Sequence, residues 1–444
     1  MRNILLLGAG MSCSTLIKYL LDHSEAENWH LHIVDQNLDV ILSKLNGHPR
    51  GTAHQFDALN AQQRKPHIQD ADIVISMLPP KYHVDVAKDC LLYKKHLLTP
   101  SYVTDQMRAL DQEALDAGVL ILNEIGLDPG IDHMSAMKII DEIRFQGGKL
   151  SAFKSYCGGL IAPIADNNLW HYKFTWNPSN VILAGQGSTA CYLENKQVKY
   201  INYHRLFEQL DTINIEGYGE FEGYANRDSL SYIDVYGLKD IETIFRGTLR
   251  RPPFCQAWNV FVRLGMTENH FKMKDSELLS PRQFLNSFLP FDPERTVEQK
   301  LTQYLGDDKQ LYELFSSLDF FNSKLPIGLA NASPAELLQQ ILVKKWKLQE
   351  NDKDMVVMYH EFIFSKGTEQ FKIESSLVVE GKDQRYTAMS DTVGLPLAIA
   401  TKLILNENIT GRGVQIPVNS EVYLPILNEL ADFGIIFTES LKTI

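Results

Sequence analysis

The chain has 444 residues and carries 43 Lys and Arg against 55 Asp and Glu, a formal charge of −12; this is length enough for two or three domains and a large core without disulfide or metal staples. A composition of 44% apolar and 22% charged residues with 27 Gly and 18 Pro excludes a disordered or collagen-like chain. The acidic balance argues against nonspecific binding of nucleic acid or an anionic membrane, so any anionic ligand requires cations concentrated locally.

Five cysteines (Cys13, Cys90, Cys157, Cys191 and Cys255) are scattered, odd in number and without a CxxC pair. Neither a disulfide framework nor a zinc cluster is expected, and a reducing compartment fits. The opening apolar run, residues 4–7, stops at Gly8, and no stretch approaches the roughly 20 apolar residues of a membrane span. The expectation is a soluble cytoplasmic protein with no membrane partner.

The first 125 residues alternate β-rich runs, at 3–7, 30–34, 52–56, 73–78, 96–99 and 119–123, with segments of helical periodicity at 14–21, 40–45, 82–92 and 105–117. This repeated βαβ pattern predicts a Rossmann-like, doubly wound parallel sheet, an α/β architecture. A helix is predicted from the Asp128-Pro129 pair to about Phe145, with Asp128 as its N-cap and Pro129 at the first helical position. From 149 to about 265, β-like runs with aromatic residues and glycines predict a mixed sheet in a second, α+β domain. Helical periodicity dominates 275–350, which reads as an inserted helical domain. Residues 356–364 and 370–379 alternate as a hairpin, and 390–405 form an apolar helix capped by Ser390 or Asp391.

Gly8, Ala9, Gly10, Met11, Ser12 and Cys13 follow the first strand and open the first helix. Gly8 permits the tight turn, and Gly10 lets backbone approach a pyrophosphate lodged at the helix N-terminus. Cys13 stands where a third glycine is usual. Asp35 closes the second strand; a carboxylate there accepts hydrogen bonds from ribose hydroxyls and repels a 2′-phosphate, which favours NAD over NADP. Ser76, Met77 and Leu78 end the fourth strand, and Thr99, Pro100, Ser101 and Tyr102 follow the fifth. Both segments are expected at the cofactor crevice, which lies beyond the carboxyl ends of the strands.

Other dense segments are 123–133, 155–159, 172–176, 226–229 and 246–251. Cys157 is either a buried small hydrophobe or a reactive thiol. His133 reads as packing or surface. Arg246, Arg250 and Arg251 are either a solvated face or the cations a multi-carboxylate ligand requires.

Together these segments resemble the saccharopine dehydrogenase family, in particular its glutamate-forming (saccharopine reductase) branch. The matches are 123–133 (NEIGLDPGIDH), 155–159 (SYCGG), 172–176, 226–229 (NRDS), 246–250 (RGTLR), 393–396 (VGLP) and 411–414 (GRGV), spread over nearly the whole chain. The resemblance implies a dinucleotide-binding domain (1–128 with 390–444), a catalytic and dimerisation domain (129–270 with 355–389) and a helical insertion (271–354), in a homodimer. It implies cofactor contacts at Ala9, Gly10, Met11, Ser12, Val34, Asp35, Gln36, Asp57, Ala58, Ser76, Met77, Leu78, Thr99, Pro100, Gly126, Leu127, Asp128 and Trp176. Substrate contacts are implied at Pro100, Ser101, Leu127, Asp128, Arg227, Thr248, Leu249 and Arg250. Two departures stand out: Cys13 in the glycine fingerprint, and Asp35 where the fungal NADP enzymes have a Cys-Arg-Thr segment.

The implied reaction is reversible NAD(P)-dependent oxidative cleavage of saccharopine, a tricarboxylate, to glutamate and 2-aminoadipate 6-semialdehyde in lysine metabolism. Arg227 and Arg250 are the expected carboxylate anchors, with Ser101 and Thr248 as neutral donors. Asp128, Tyr102 and Cys157 are the acid–base candidates, unranked among themselves, and Asp128 alternatively orients the substrate amine by its charge. The alternatives are a carboxynorspermidine dehydrogenase or lysine 6-dehydrogenase on the same scaffold, which needs fewer carboxylate partners, and a non-catalytic nicotinamide-binding protein.

Overall fold

The structure, a computed structural model, describes residues 1–186 and 189–444. It comprises two units, one built from Met1–Ser151, Asp234–Leu238 and Met355–Ile444, the other from Ala152–Ile233 and Lys239–Asp354.

In the first unit, strands β1 (Arg2–Leu7), β2 (Trp29–Asp35), β3 (Gly51–Gln55), β4 (Ile73–Ser76), β5 (His96–Leu98) and β6 (Leu120–Leu122) form a parallel sheet with the strand Gly413–Gln415. Its order is Gly413–Gln415, β6, β5, β4, β1, β2, β3. The order reverses between β1 and β4, the topological switch point at which a doubly wound sheet binds its ligand. The apolar run of β1 is buried from Ile4 to Leu7, as a strand covered on both faces requires.

One helical expectation is revised here, and one unexpected helix is added. The segment 105–117 is two helices, Asp105–Arg108 and Asp111–Ala117. A further helix, Ala61–Asp70, carries Pro66 inside it and buries only Arg64 and Ile68, so it lacks the apolar stripe that marks helices in a sequence.

The apolar helix Ala388–Leu405 is capped by Thr387, whose hydroxyl accepts from the Ser390 N–H at 2.9 Å, and not by Ser390 or Asp391. Ser390 is occupied elsewhere: its Oγ accepts the Thr15 N–H at 3.0 Å. This helix and the first one, Ser14–Asp22, pack so closely that a Cβ on Gly394 would lie 2.8 Å from the Leu16 nitrogen. It is long and apolar enough to cross a membrane, yet 78% of it is buried within the protein, as in a core helix. The hairpin Asp354–Lys366 and Glu369–Glu380 is antiparallel, and Thr438–Thr443 adds a further antiparallel strand to it.

The second unit contains β7 (Lys149–Ile161) from Ala152 onward, β8 (Ala190–Glu194), β9 (Gln197–Ile201), β10 (Asp211–Ile215), β11 (Gly219–Ala225) and β12 (Thr243–Arg250). The sheet is mixed: β10, β11 and β12 pair antiparallel, β12 and β7 pair parallel, and β8 joins β12 and β9 antiparallel. Helices Pro281–Asn286, Val297–Tyr304, Lys309–Ser316 and Pro334–Trp346 follow. Ser280, Thr296 and Ser333 open three of them with reciprocal capping boxes, which satisfy donors that a helix start otherwise leaves open.

Candidate active site

The dinucleotide turn follows from the end of β1. Gly8 has φ +98°, a conformation that disfavours a side chain, and a Cβ there would sit tightly, 3.1 Å from the Met77 carbonyl oxygen. Gly10 is exposed and would meet nothing within 4 Å; the surface above it is open to an approaching ligand. It precedes the short 3-10 turn Met11–Cys13, which no side chain caps. Ala9 is buried, whereas Met11 is 66% exposed. Cys13 is buried with its thiol toward the Gly8 carbonyl at 3.6 Å, and burial pushes it up to about 11, so it packs as a neutral thiol.

Asp35 borders this turn. Its carboxylate accepts the Ala9 N–H at 2.8 Å and the Asn37 N–H at 3.0 Å, which fixes a negative charge beside the glycines. Asp57 accepts the Leu59 N–H at 3.0 Å, and the carbonyl of buried Ala58 takes a hydrogen bond from Arg64 at 2.7 Å. The two glycines with the space above Gly10, the uncapped turn and the anchored carboxylate fit a dinucleotide: the turn would hold the pyrophosphate and Asp35 the adenosine ribose.

At the ends of β4 and β5 lies a hydroxyl network that no sequence pattern marks. His83, 3% exposed, pairs through Nδ1 with Ser76 Oγ at 2.9 Å. Its Nε2 faces Ser101 Oγ at 2.9 Å and Thr99 Oγ1 at 3.0 Å. Burial pushes the imidazole down to about 4, so it is neutral at physiological pH. Ser76 and Thr99 are fully buried, with their hydroxyls on His83, whereas Met77, Leu78, Pro100 and Ser101 remain partly accessible.

The Tyr102 hydroxyl donates to Asp128 Oδ1 at 2.9 Å. The helix after this segment is Ile131–Phe145 and its N-cap is Gly130, at φ +148°, in place of the expected Asp128. A Cβ on Gly130 would lie 2.1 Å from the Gly126 carbonyl oxygen, so the chain reverses sharply here and leaves the Asp128 carboxylate off the helix. Gly126 is itself pressed on Pro100, whose Cβ would lie 2.8 Å from a Cβ there, and Leu127 is buried. Beneath them Glu124 accepts the Val103 N–H at 2.9 Å and pairs with His133 Nε2 at 2.8 Å. His133 Nδ1 lies 2.6 Å from the Tyr236 hydroxyl. His133 is thus a fully buried, hydrogen-bonded strut.

In the second unit, Cys157 on β7 stands opposite Thr248 on β12. Gly158 permits this approach, since a Cβ there would lie 2.7 Å from the Leu249 carbonyl oxygen. Cys157 and Leu249 are buried, Thr248 and Trp176 half-buried, and Arg227 is exposed in a left-handed turn. The segments 226–229 and 246–250 form one structure: Asn226 N–H donates to the Arg246 carbonyl at 2.8 Å, and Arg246 N–H to Ser229 Oγ at 2.9 Å.

The three arginines separate sharply. Arg246 stacks on Tyr232 at 4.3 Å, and Arg251 lies on Phe221 at 4.2 Å. Arg250, 3% exposed, is set among Tyr172, Phe254 and Tyr224, its guanidinium 5.2, 5.4 and 5.8 Å from their rings. One nitrogen donates to the Leu249 carbonyl at 2.8 Å, while Nε has no partner among the described residues. The buried Tyr172 hydroxyl is likewise without a partner. A buried, permanently charged guanidinium lacking a counter-ion is costly unless a ligand supplies one. Tyr172 lies in a segment singled out by sequence, but its orphaned hydroxyl does not; nor does the role of Glu124 or His83.

Residues 4–122 match the family model described as the saccharopine dehydrogenase NADP binding domain, and residues 126–435 that of the saccharopine dehydrogenase C-terminal domain. The chain is 32% identical to the saccharopine dehydrogenase [NADP(+), L-glutamate-forming] of Saccharomyces cerevisiae, covering 99% of both proteins. It is also 32% identical to the alpha-aminoadipic semialdehyde synthase of Arabidopsis thaliana, covering 97% of this chain and 44% of that longer protein. The solved structure of apo saccharopine dehydrogenase (L-Glu forming) from Saccharomyces cerevisiae superposes with a TM-score of 0.89 over 100% of each chain, at 31% identity.

Proposed function

The chain belongs to the saccharopine dehydrogenase family, and we propose that it is the oxidoreductase that reversibly cleaves L-saccharopine to L-glutamate and 2-aminoadipate 6-semialdehyde. The observation that carries the substrate is Arg250, a buried cation with an unpartnered Nε, its guanidinium 5.2 Å from the ring of Tyr172. A carboxylate would supply the counter-ion that this guanidinium lacks. Saccharopine has three such groups, and Arg227, Thr248 and Ser101 are the further contacts proposed for them.

The nicotinamide cofactor, when bound, accepts the hydride from the carbon bearing the secondary amine. The chain's own residues hold that carbon in line and manage protons. Tyr102 and Asp128 form a hydrogen-bonded acid–base pair, able to take the amine proton and to return one as water adds to the substrate imine. Cys157 is proposed as a further group lining the substrate. The reading further places the dinucleotide domain in 1–128 with 390–444, the catalytic domain in 129–270 with 355–389 and the helical insertion in 271–354. It places the enzyme in the cytoplasm as a homodimer, in keeping with five free thiols.

Asp35 sets NAD ahead of NADP. Its carboxylate is held by two backbone N–H groups and cannot swing away from a 2′-phosphate without leaving both unpaired. The experiment is spectrophotometric: saccharopine with each cofactor in parallel, followed by the absorbance of the reduced nicotinamide. Activity with NAD exceeding that with NADP supports the reading; silence with both removes the proposed substrate.

A further inference from the structure

His83 connects the ends of two strands. Ser76 ends β4 and precedes the cofactor-side residues Met77 and Leu78, while Thr99 and Ser101 follow β5. Helix His83–Leu92 begins at His83 itself, so the imidazole sits at the foot of that helix with both nitrogens committed to hydroxyls.

A neutral imidazole has one N–H and one lone pair, and the position of that hydrogen dictates the direction of every hydroxyl around it. With the hydrogen on Nδ1, His83 donates to Ser76 and offers one lone pair to the two hydroxyls of Ser101 and Thr99, of which it can accept only one well. With the hydrogen on Nε2, the Thr99 and Ser101 oxygens both face a donor, and Nδ1 accepts the Ser76 hydrogen. In the second arrangement the Ser101 hydrogen is free to point outward. A carboxylate at Ser101 favours that state, because there Ser101 no longer competes with Thr99 to donate to Nε2 and its hydrogen can turn to the anion.

We propose that His83 is a positioning residue whose Nε2–H tautomer holds Ser101 as a donor to a substrate carboxylate, and that substrate binding thereby fixes the hydroxyl direction at Ser76 beneath the cofactor-side turn. The inference rests on saccharopine as the substrate. It needs neither a charged imidazole nor movement of the backbone. Because the three hydroxyls are otherwise interchangeable as donors and acceptors, the ligand-free protein distributes between both tautomers.

The test is nitrogen NMR of the full-length protein carrying 15N-labelled histidine, with the His83 resonances assigned by their loss in His83→Gln. Saccharopine is added without cofactor, and calorimetry on the same samples records whether it binds. The expected result is a shift of Nδ1 toward the pyridine-type position and of Nε2 toward the pyrrole-type position at saturation. The same titration of Ser101→Ala should bind saccharopine roughly tenfold more weakly and lose the His83 response. Binding with the His83 nitrogens unchanged, or an equal response in Ser101→Ala, overturns the tautomer role and leaves the reaction standing. Absence of saccharopine binding in the wild-type protein overturns both.

Discussion

The Tyr102 hydroxyl donates to Asp128 Oδ1 at 2.9 Å, and this pair exists because Asp128 is not the cap of the helix that follows it. Gly130 at φ +148° takes that position, so the carboxylate is not committed to the helix N-terminus. General acid–base groups contribute on the order of 10²–10⁴ in rate. Asp128→Asn, which keeps an acceptor for Tyr102 but loses the charge, should lower kcat by at least about a hundredfold. Tyr102→Phe should lower it by roughly tenfold and remove one limb of the pH profile. A rise in KM with kcat preserved in Asp128→Asn would assign the residue to amine orientation and not to proton transfer.

Arg250 should trade stability for binding. Replacing it with methionine removes a buried cation whose Nε has no partner among the described residues, and exchanging such a charge for an apolar side chain of similar length is neutral or stabilising. The Tm of Arg250→Met should therefore equal or exceed that of the wild type. The same substitution should raise the saccharopine KM at least about tenfold, roughly 1.4 kcal/mol, with cofactor affinity unaltered. A fall in Tm together with an unchanged KM would make Arg250 a structural residue.

Asp35 should govern the choice of cofactor. Asp35→Ala removes the fixed charge at the turn and leaves the Ala9 and Asn37 N–H groups without their acceptor. The ratio of kcat/KM for NAD over NADP, expected above one in the wild type, should fall at least about tenfold. An NADP preference in the wild type would show that another group outweighs the carboxylate.

Burial of His83 has a consequence for stability as well. Its folded value, about 4, lies below the 6.5 of an exposed imidazole, so the unfolded chain binds a proton that the folded protein rejects. That stability is fully present above pH 6.5 and is lost as pH falls toward about 4, an effect on the order of 3 kcal/mol for this residue. His32 and His96, also lowered to about 4 by burial, act in the same sense. Denaturant titrations between pH 4 and 7 should show a steeper fall for the wild type than for His83→Gln. Equal slopes would place the His83 value near its ordinary one.

The parallel sheet was legible because buried strands such as residues 4–7 are short continuous apolar runs spaced by helical periodicity, and both signals are local. The helix Ala61–Asp70 was not, since Pro66 and a polar face mask it. Asp128-Pro129 imitates a cap followed by its first helical residue, and only the close approach of Gly130 to Gly126 reveals that the helix starts later. Three arginines in six residues look alike in sequence; their difference is tertiary, set by Tyr232, Phe221 and the aromatic shell of Tyr172, Phe254 and Tyr224. His83 carries no motif because its meaning depends on two strand ends, those of Ser76 and Thr99, converging on one ring. The turn after β1, by contrast, was readable from Gly8, where a backbone requirement is written directly into residue type.

The most direct measurement is the saccharopine-dependent reduction of NAD and of NADP by the purified full-length protein, in parallel cuvettes, with glutamate quantified as product. Stoichiometric glutamate and reduced nicotinamide, formed faster with NAD, is the predicted result. No reduction with either cofactor, while the protein is folded and binds nicotinamide dinucleotide, would contradict it.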